Sequence, residues 1–175
     1  SYKKDGYEID NADIVIRFNF FADNNLGDPA IKGSRCDISY FNGKMQENFL
    51  KKHDEEFPSD LTWVISKDQD GPEKIMQKFS SSLILTKSLN IRSIKKIDHA
   101  LFKGNLTALP NAVVDLAGFD PAKITIFHAD LMLSKKKNEL NYISAGFENY
   151  AHIGLAKNHD PITQFWILHF FWKRG

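Results

Sequence analysis

The chain has 175 residues and a formal net charge of +1, and this length suits one domain with a substantial core. A charge so close to zero argues against a dedicated nucleic-acid-binding protein, which holds phosphates with an excess of basic residues. The single cysteine, Cys36, excludes an internal disulfide, and no Cys/His spacing fits a zinc site. No apolar run reaches the roughly 18 residues that a transmembrane helix needs.

Short apolar runs alternate along the chain with segments of helical spacing, which predicts an α/β domain. The predicted strands are Ile14–Phe18, Ile38–Phe41, Leu61–Ser66, Leu83–Thr86 and Ile124–Phe127. The predicted helices are Met45–Phe57, Gly71–Phe79, a segment marked by Ile94, Ile97 and Leu101, Leu109–Ala117 and Asp160–Arg174. Residues 135–141 are polar and predict a loop.

Two of the predicted strands, Ile14–Phe18 and Ile38–Phe41, are each followed by an asparagine, Asn19 and Asn42. In open α/β sheets, ligands bind at the edge where the carboxyl ends of the strands lie. An amide side chain offers two donors and an acceptor without a charge, which suits a base or a ribose. The asparagine pair therefore predicts a nucleotide-binding cleft.

The stretch around this pair resembles the first nucleotide-binding motif of the sialyltransferases. The matching residues are Gly6, Ile9, Asp10, Asp13, Val15, Arg17, Asn19, Gly33, Arg35, Asp37 and Asn42. The resemblance implies a Rossmann-like three-layer sandwich with a mostly parallel central sheet, the sialyltransferase-like variant of the glycosyltransferase A fold. It also implies a single nucleotide-sugar-binding domain over residues 1–175, which lacks the family's opening strand ending in Gly-Asn-Gly or Gly-Asn-Ser.

The resemblance implies an inverting, metal-independent glycosyltransferase without a cofactor. It would move sialic acid or a related keto-sugar acid from a CMP donor to a glycan acceptor. The family's two asparagines contact the CMP, which makes Asn19, Asn42 and the neighbouring Arg17 candidate donor-binding residues. The implied location is the cytoplasm or the inner membrane face in a bacterium, and the Golgi lumen in a eukaryote.

A second resemblance covers residues 106–130, where the family has a Ser/Thr-Gly turn, a helix and a strand ending in Gly-x-Asp. It implies donor-binding roles for Thr107, His128 and Asp130. Two departures stand out, because Ala108-Leu109 replaces the Ser-Gly of the turn and His128 replaces the glycine. An ordinary helix cap is the alternative role for Thr107.

The candidate general base is His159, because histidine titrates near neutral pH and the family has a histidine just before a C-terminal helix. A position at a helix N-terminus lowers the pKa of an imidazole and keeps it able to accept a proton. His159 as a simple helix cap is the alternative, and His152 is the second candidate base. The family also implies leaving-group stabilisation by the hydroxyls of Tyr142 and Tyr150, for which packing or surface roles are the alternative.

One motif points to a different chemistry. Asp68-Gln69-Asp70 follows a predicted strand, as does the Asp-x-Asp motif of glycosyltransferases that hold Mg²⁺ or Mn²⁺ against a nucleoside-diphospho-sugar. The alternatives are a plain Asp-rich turn and, for Asp70, a cap on the helix that follows.

The last predicted helix is unusually aromatic. It can attach to a membrane surface, with tryptophan at the interface and Lys173 and Arg174 toward lipid phosphates. It can instead be buried on the sheet, and its apolar character almost all round favours burial.

Two function classes remain open. The first is the CMP-sugar-dependent enzyme, and the second is a catalytically incomplete nucleotide-sugar-binding domain. The predicted partners are a CMP-activated sugar and a glycan, with no nucleic acid.

Overall fold

The computed structural model describes residues 3–19, 28–52, 63–66, 70–79, 85–88, 106–129 and 161–174. The chain divides into two compact units, residues 1–89 and residues 90–175. The predictions for residues 94–101 and 135–141 lie outside the described residues.

The first unit contains a parallel sheet of four strands in the order β1-β2-β3-β4. The strands are β1 (Ile16–Phe18), β2 (Ile38–Phe41), β3 (Trp63–Ser66) and β4 (Leu85–Ser88). Ile38 of β2 pairs with Ile16 of β1 on one side and with Trp63 of β3 on the other. These strands confirm the predicted α/β class with a parallel sheet.

Helices precede and connect the strands of this unit. They are α1 (Gly6–Asp10), α2 (Pro29–Lys32), α3 (Gly43–Lys52) and α4 (Gly71–Lys78). Helix α4 contacts β3 and β4 and α3 contacts α4, so these two helices lie on one face of the sheet, as right-handed crossovers between neighbouring parallel strands require, while α2 packs against α1. Helices α3 and α4 form where helical spacing predicts them, whereas α1 and α2 are too short for a periodic pattern.

The core of the first unit lies between the sheet and α3 and α4. The ring of Phe41 packs on the ring of Phe49 with 5.0 Å between centroids, and Phe49 packs on Phe79 at 5.7 Å. Ile75 of α4 and Val64 of β3 are fully buried. These aromatic contacts join two helices and the central strands through one apolar cluster.

The second unit contains α5 (Ala108–Ala117) and α6 (Pro161–Arg174), both predicted from the sequence. The side-chain oxygen of Gln164 accepts hydrogen bonds from the backbone N–H of Thr107 at 3.3 Å and from the Thr107 hydroxyl. The start of α5 is therefore held by a side chain of α6.

The predicted strand Ile124–Phe127 is wrong. Residues 120–129 have no regular secondary structure, and Ile124 and Ile126 are exposed. The β-branched residues favour an extended chain, but a strand also needs a neighbour to complete its hydrogen bonds. Within the described part of the chain, no strand pairs with this segment.

Candidate functional site

The two asparagines of the predicted cleft lie together at the carboxyl edge of the sheet. The backbone N–H of Asn19 donates to the Tyr40 carbonyl at 2.8 Å, which extends the pairing of β1 with β2 by one residue. The backbone N–H of Asn42 donates to Oδ1 of Asn19 at 3.1 Å. Asn19 is 8% exposed and has a φ of +53°, a left-handed conformation that asparagine tolerates better than most residues.

The start of α3 lies at the same edge. The Asn42 carbonyl accepts the backbone N–H of Gln46 at 2.9 Å, so Asn42 is the residue from which α3 begins. The first N–H groups of a ten-residue helix and its dipole favour an anion. The edge thus combines amide groups, which suit a base or ribose, with a helix terminus that suits a phosphate.

A buried polar cluster lies at this edge, between the end of β3 and the starts of α3 and α4. The hydroxyl of Ser66 donates to Oε1 of Gln46, and Nε2 of Gln46 donates to the Gly71 carbonyl at 3.3 Å. Both side chains are buried, so these hydrogen bonds fix the end of β3 against the starts of α3 and α4. Neither Gln46 nor Ser66 is among the predicted site residues, although a serine ending an apolar strand is a usable signal.

Most charged residues of the sialyltransferase-like motif form a network at the opposite, amino edge of the sheet. The Asp10 carboxylate accepts the backbone N–H and hydroxyl of Ser34, at 2.8 and 3.0 Å, and the backbone N–H of Arg35 at 3.0 Å. The Arg35 guanidinium donates to the Asp10 carbonyl and pairs with the Asp37 carboxylate at 2.8 Å. Asp37 also accepts the backbone N–H of Val15 at 2.7 Å. We call Asp10, Ser34, Arg35 and Asp37 the amino-edge clasp.

The clasp needs a sharp turn just before it. Gly33 has a φ of +69°, and a Cβ there would meet the Asp10 carboxylate. The clasp joins the end of α1 to the chain entering β2, across 24 or more residues of sequence. The motif's Asp10, Gly33, Arg35 and Asp37 therefore all have a structural role here.

Arg17 also binds the segment between α2 and β2. Its Nε donates to the Arg35 carbonyl at 2.7 Å, and an Nη donates to the Lys32 carbonyl at 2.9 Å. Burial, together with the nearby Arg17 cation, lowers the pKa of Lys32. The donor-binding role of Arg17 stays a prediction, and these contacts show that it also holds the loop.

The structure departs from the second resemblance at Thr107 and His128. Thr107 precedes α5, and its hydroxyl is bonded to Gln164. His128 is exposed, has a φ of +54° and does not end a strand. Asp130 lies outside the described residues. The strand that the resemblance implies before His128 is therefore absent from residues 120–129.

The predicted catalytic residues cannot be placed from the described part of the chain. His152, His159, Tyr142 and Tyr150 all lie outside it. Their roles stay predictions.

Of the Asp-x-Asp motif, Asp70 is described and Asp68 is not. Asp70 precedes α4 without a capping hydrogen bond from its side chain. Its carboxylate lies 2.6 Å from the Lys74 ammonium, and this hydrogen-bonded ion pair lowers the pKa of Asp70. Among the described residues, no group of three or more His, Cys, Asp or Glu side chains could hold a metal ion.

Cys36 is a small residue of the core, just before β2. It is buried, and its Sγ lies 3.4 Å from the Ile38 carbonyl. Burial raises the pKa of the Cys36 thiol to about 12.

The expectation that the C-terminal helix is buried is wrong for the described residues of α6. Trp166 is 59% exposed and Trp172 is 76% exposed, while Thr163 and Gln164 are buried. An apolar composition therefore does not decide which face of a helix is covered. None of the helices in the described ranges is long and apolar enough to cross a bilayer.

Comparison of the chain with protein-family models, with curated proteins and with solved structures finds no match.

Proposed function

We propose that the chain is the nucleotide-binding domain of a sialyltransferase-like glycosyltransferase that uses a CMP-activated sugar. The observation that carries this proposal is the contact between Asn19 and Asn42 at the carboxyl edge of a parallel sheet. The proposed fold in finer terms is the Rossmann-like three-layer sandwich of that family.

The hydrogen bond to Asn42 orients the Asn19 amide, because it engages Oδ1 and leaves Nδ2 as the donor end. In the proposed complex, this donor meets an acceptor on the cytidine or its ribose. The single phosphate of CMP lies at the start of α3, where N–H groups and the helix dipole stabilise its charge. Because the Asn19 amide is already oriented, its binding to a ligand costs little conformational entropy. We therefore expect it to bind more selectively than a flexible side chain would.

The proposed chemistry is inverting and needs no metal. His159 accepts the proton of the acceptor hydroxyl as it attacks the sugar, and Tyr142 and Tyr150 stabilise the departing CMP phosphate. Helix α6 begins at Pro161, two residues after His159 in the sequence. His152 is the alternative base.

The first experiment is calorimetry with CMP, UDP and GDP on the protein without added metal. We expect CMP to bind most tightly. Asn42→Ala should weaken CMP binding by about 1–3 kcal/mol, since one or two hydrogen bonds are lost. This substitution leaves the backbone N–H that orients Asn19 intact, and urea unfolding of the variant separates a lost ligand contact from a weakened start of α3.

Asn11→Ala is the matched control, because Asn11 is an exposed asparagine that follows α1 at the amino edge. It should leave CMP affinity unchanged. Tighter binding of UDP, or equal affinities for Asn42→Ala and the control, would contradict the assignment.

The second experiment measures sugar transfer. His159→Ala should lower turnover by about 10²–10⁴ with CMP affinity nearly intact, because a general base acts in the transition state. His152→Ala should do much less, and activity should survive EDTA. Turnover that is lost in EDTA, restored by Mn²⁺ and abolished by Asp68→Ala would instead support the metal-dependent class through Asp68 and Asp70.

A second candidate is a CMP-sugar-binding domain without transfer activity. The observations that favour it are the missing strand at Ile124–Phe127 and the engagement of the Thr107 hydroxyl by Gln164. CMP affinity that depends on Asn42, without transfer or donor hydrolysis under any metal condition, would select this candidate.

A further inference from the structure

Helix α6 has two faces that differ sharply in exposure. Thr163 and Gln164 are buried, and Ile167, Leu168 and Phe171 are half-buried. The other side, which we call the aromatic face, consists of residues between 45% and 76% exposed: Ile162, Phe165, Trp166, Phe170 and Trp172. Several of these residues are three or four positions apart, which places them on one side of a helix.

This arrangement reverses the usual pattern of a surface helix, which turns its charged residues outward. The polar side chain of Gln164 points inward to Thr107, while two tryptophans and two phenylalanines face outward. Contiguous exposed apolar surface of this kind marks an interaction site.

The charged residues of α6 indicate which ligand chemistry the aromatic face fits. Its two charged residues, Lys173 and Arg174, are both basic and exposed at its carboxyl end. Lys173 is seven residues after Trp166, two helical turns further along the same side. The Arg174 guanidinium lies 4.3 Å from the centroid of the Phe170 ring, so this cation is continuous with the aromatic face.

We propose that the aromatic face docks on an anionic lipid membrane, with α6 lying in the plane of the interface. Tryptophan favours the interfacial region, and Lys173 and Arg174 meet lipid phosphates. At 14 residues the helix is about 21 Å long, which suits a helix that lies on the bilayer. The inward side remains bound to the protein through Gln164, so the helix need not leave its unit to dock.

Charge complementarity favours a membrane over a second copy of the chain. Helix α6 contains no Asp or Glu, so pairing the aromatic faces of two copies would leave Lys173 and Arg174 without acidic partners on α6. An anionic bilayer covers the rings and neutralises both cations. This inference goes beyond the proposed function and does not depend on nucleotide binding.

The test is sedimentation of the full chain with phosphatidylcholine vesicles, with and without phosphatidylserine. We expect binding to the anionic vesicles that weakens with added salt. Lys173→Gln with Arg174→Gln should lower the partition coefficient by about 10- to 30-fold, and by less on neutral vesicles. Trp166→Ser with Trp172→Ser should lower it on both and remove the blue shift of tryptophan emission.

Met76→Ser is the matched control, because Met76 is an equally exposed apolar residue on α4, at 59%. It should bind vesicles as the unsubstituted chain does, and far-UV circular dichroism should show every variant folded. Absent vesicle binding, equal binding to neutral vesicles, or unchanged binding in both double variants would overturn the proposal. A dimer in analytical ultracentrifugation that Trp166→Ser disrupts, without vesicle binding, would assign the face to a second copy.

Discussion

The Asp10 carboxylate is the centre of the amino-edge clasp, and Asp10→Ala should measurably destabilise the first unit. It accepts hydrogen bonds from three donors, the backbone N–H and hydroxyl of Ser34 and the backbone N–H of Arg35. A hydrogen bond to a charged group contributes about 1.5–3 kcal/mol when buried. Because solvent reaches this carboxylate, we expect a total loss of about 2 kcal/mol rather than the sum.

The assay is urea unfolding at neutral pH, followed by circular dichroism, and a loss of this size also lowers Tm by about 4–8 °C. Asp13→Ala is the matched control. Asp13 is an exposed aspartate in the same segment, and its contact with Arg35 uses the backbone carbonyl, which the substitution keeps. Equal unfolding free energies for Asp10→Ala and Asp13→Ala would refute the reasoning.

The same carboxylate predicts a pH dependence. Partial burial raises the pKa of Asp10, but the hydrogen bonds from Arg35 and Ser34 and the nearby Arg17 together outweigh it and hold the pKa below its ordinary value. Because the pKa of Asp10 is lower in the folded chain than in the unfolded chain, the ionised carboxylate stabilises the fold at pH values above its unfolded-state pKa of about 3.9. This stabilisation is lost as the pH falls through the folded-state pKa. The difference in unfolding free energy between Asp10→Ala and the unsubstituted chain should therefore shrink in acid, and a constant difference would contradict this account.

Three further outcomes follow from the packing of the first unit. Gly71→Ala should lower the free energy of unfolding in urea by about 1–3 kcal/mol, because its Cβ would overlap the Ser66 hydroxyl. Gly118→Ala, the control, should change this free energy by no more than about 0.5 kcal/mol. Phe49→Ala should cost about 3–5 kcal/mol, because Phe49 is fully buried between two other rings, and a smaller loss would mean that the cluster collapses to fill the space. Cys36 should react with a thiol reagent only at the rate of unfolding, because the thiol is buried and its pKa is about 12; fast labelling of the folded chain would contradict the buried position.

The asparagine pair is predictable from the sequence because its signal is local. A short apolar run such as Ile38–Phe41 is too short for a helix, and the segment that follows it, Met45–Phe57, has helical spacing. Strands that alternate with helices form a parallel sheet, and the residues that follow parallel strands meet at one edge. Asn19 and Asn42 could therefore be placed together before any contact was seen.

The sequence by itself thus determined the four strands and helices α3 and α4 of the first unit, the edge at which Asn19 and Asn42 lie, and the two helices described in the second unit. Tertiary structure decided that Ile124–Phe127 is not a strand, that the motif residues Asp10 and Arg35 join segments of the chain, and that the aromatic side of α6 faces outward. The physical reason is the range of the interactions. Propensity, helical spacing and capping act within a few residues, whereas a clasp, a strand partner or a covered helix face requires groups that lie tens of residues apart in sequence.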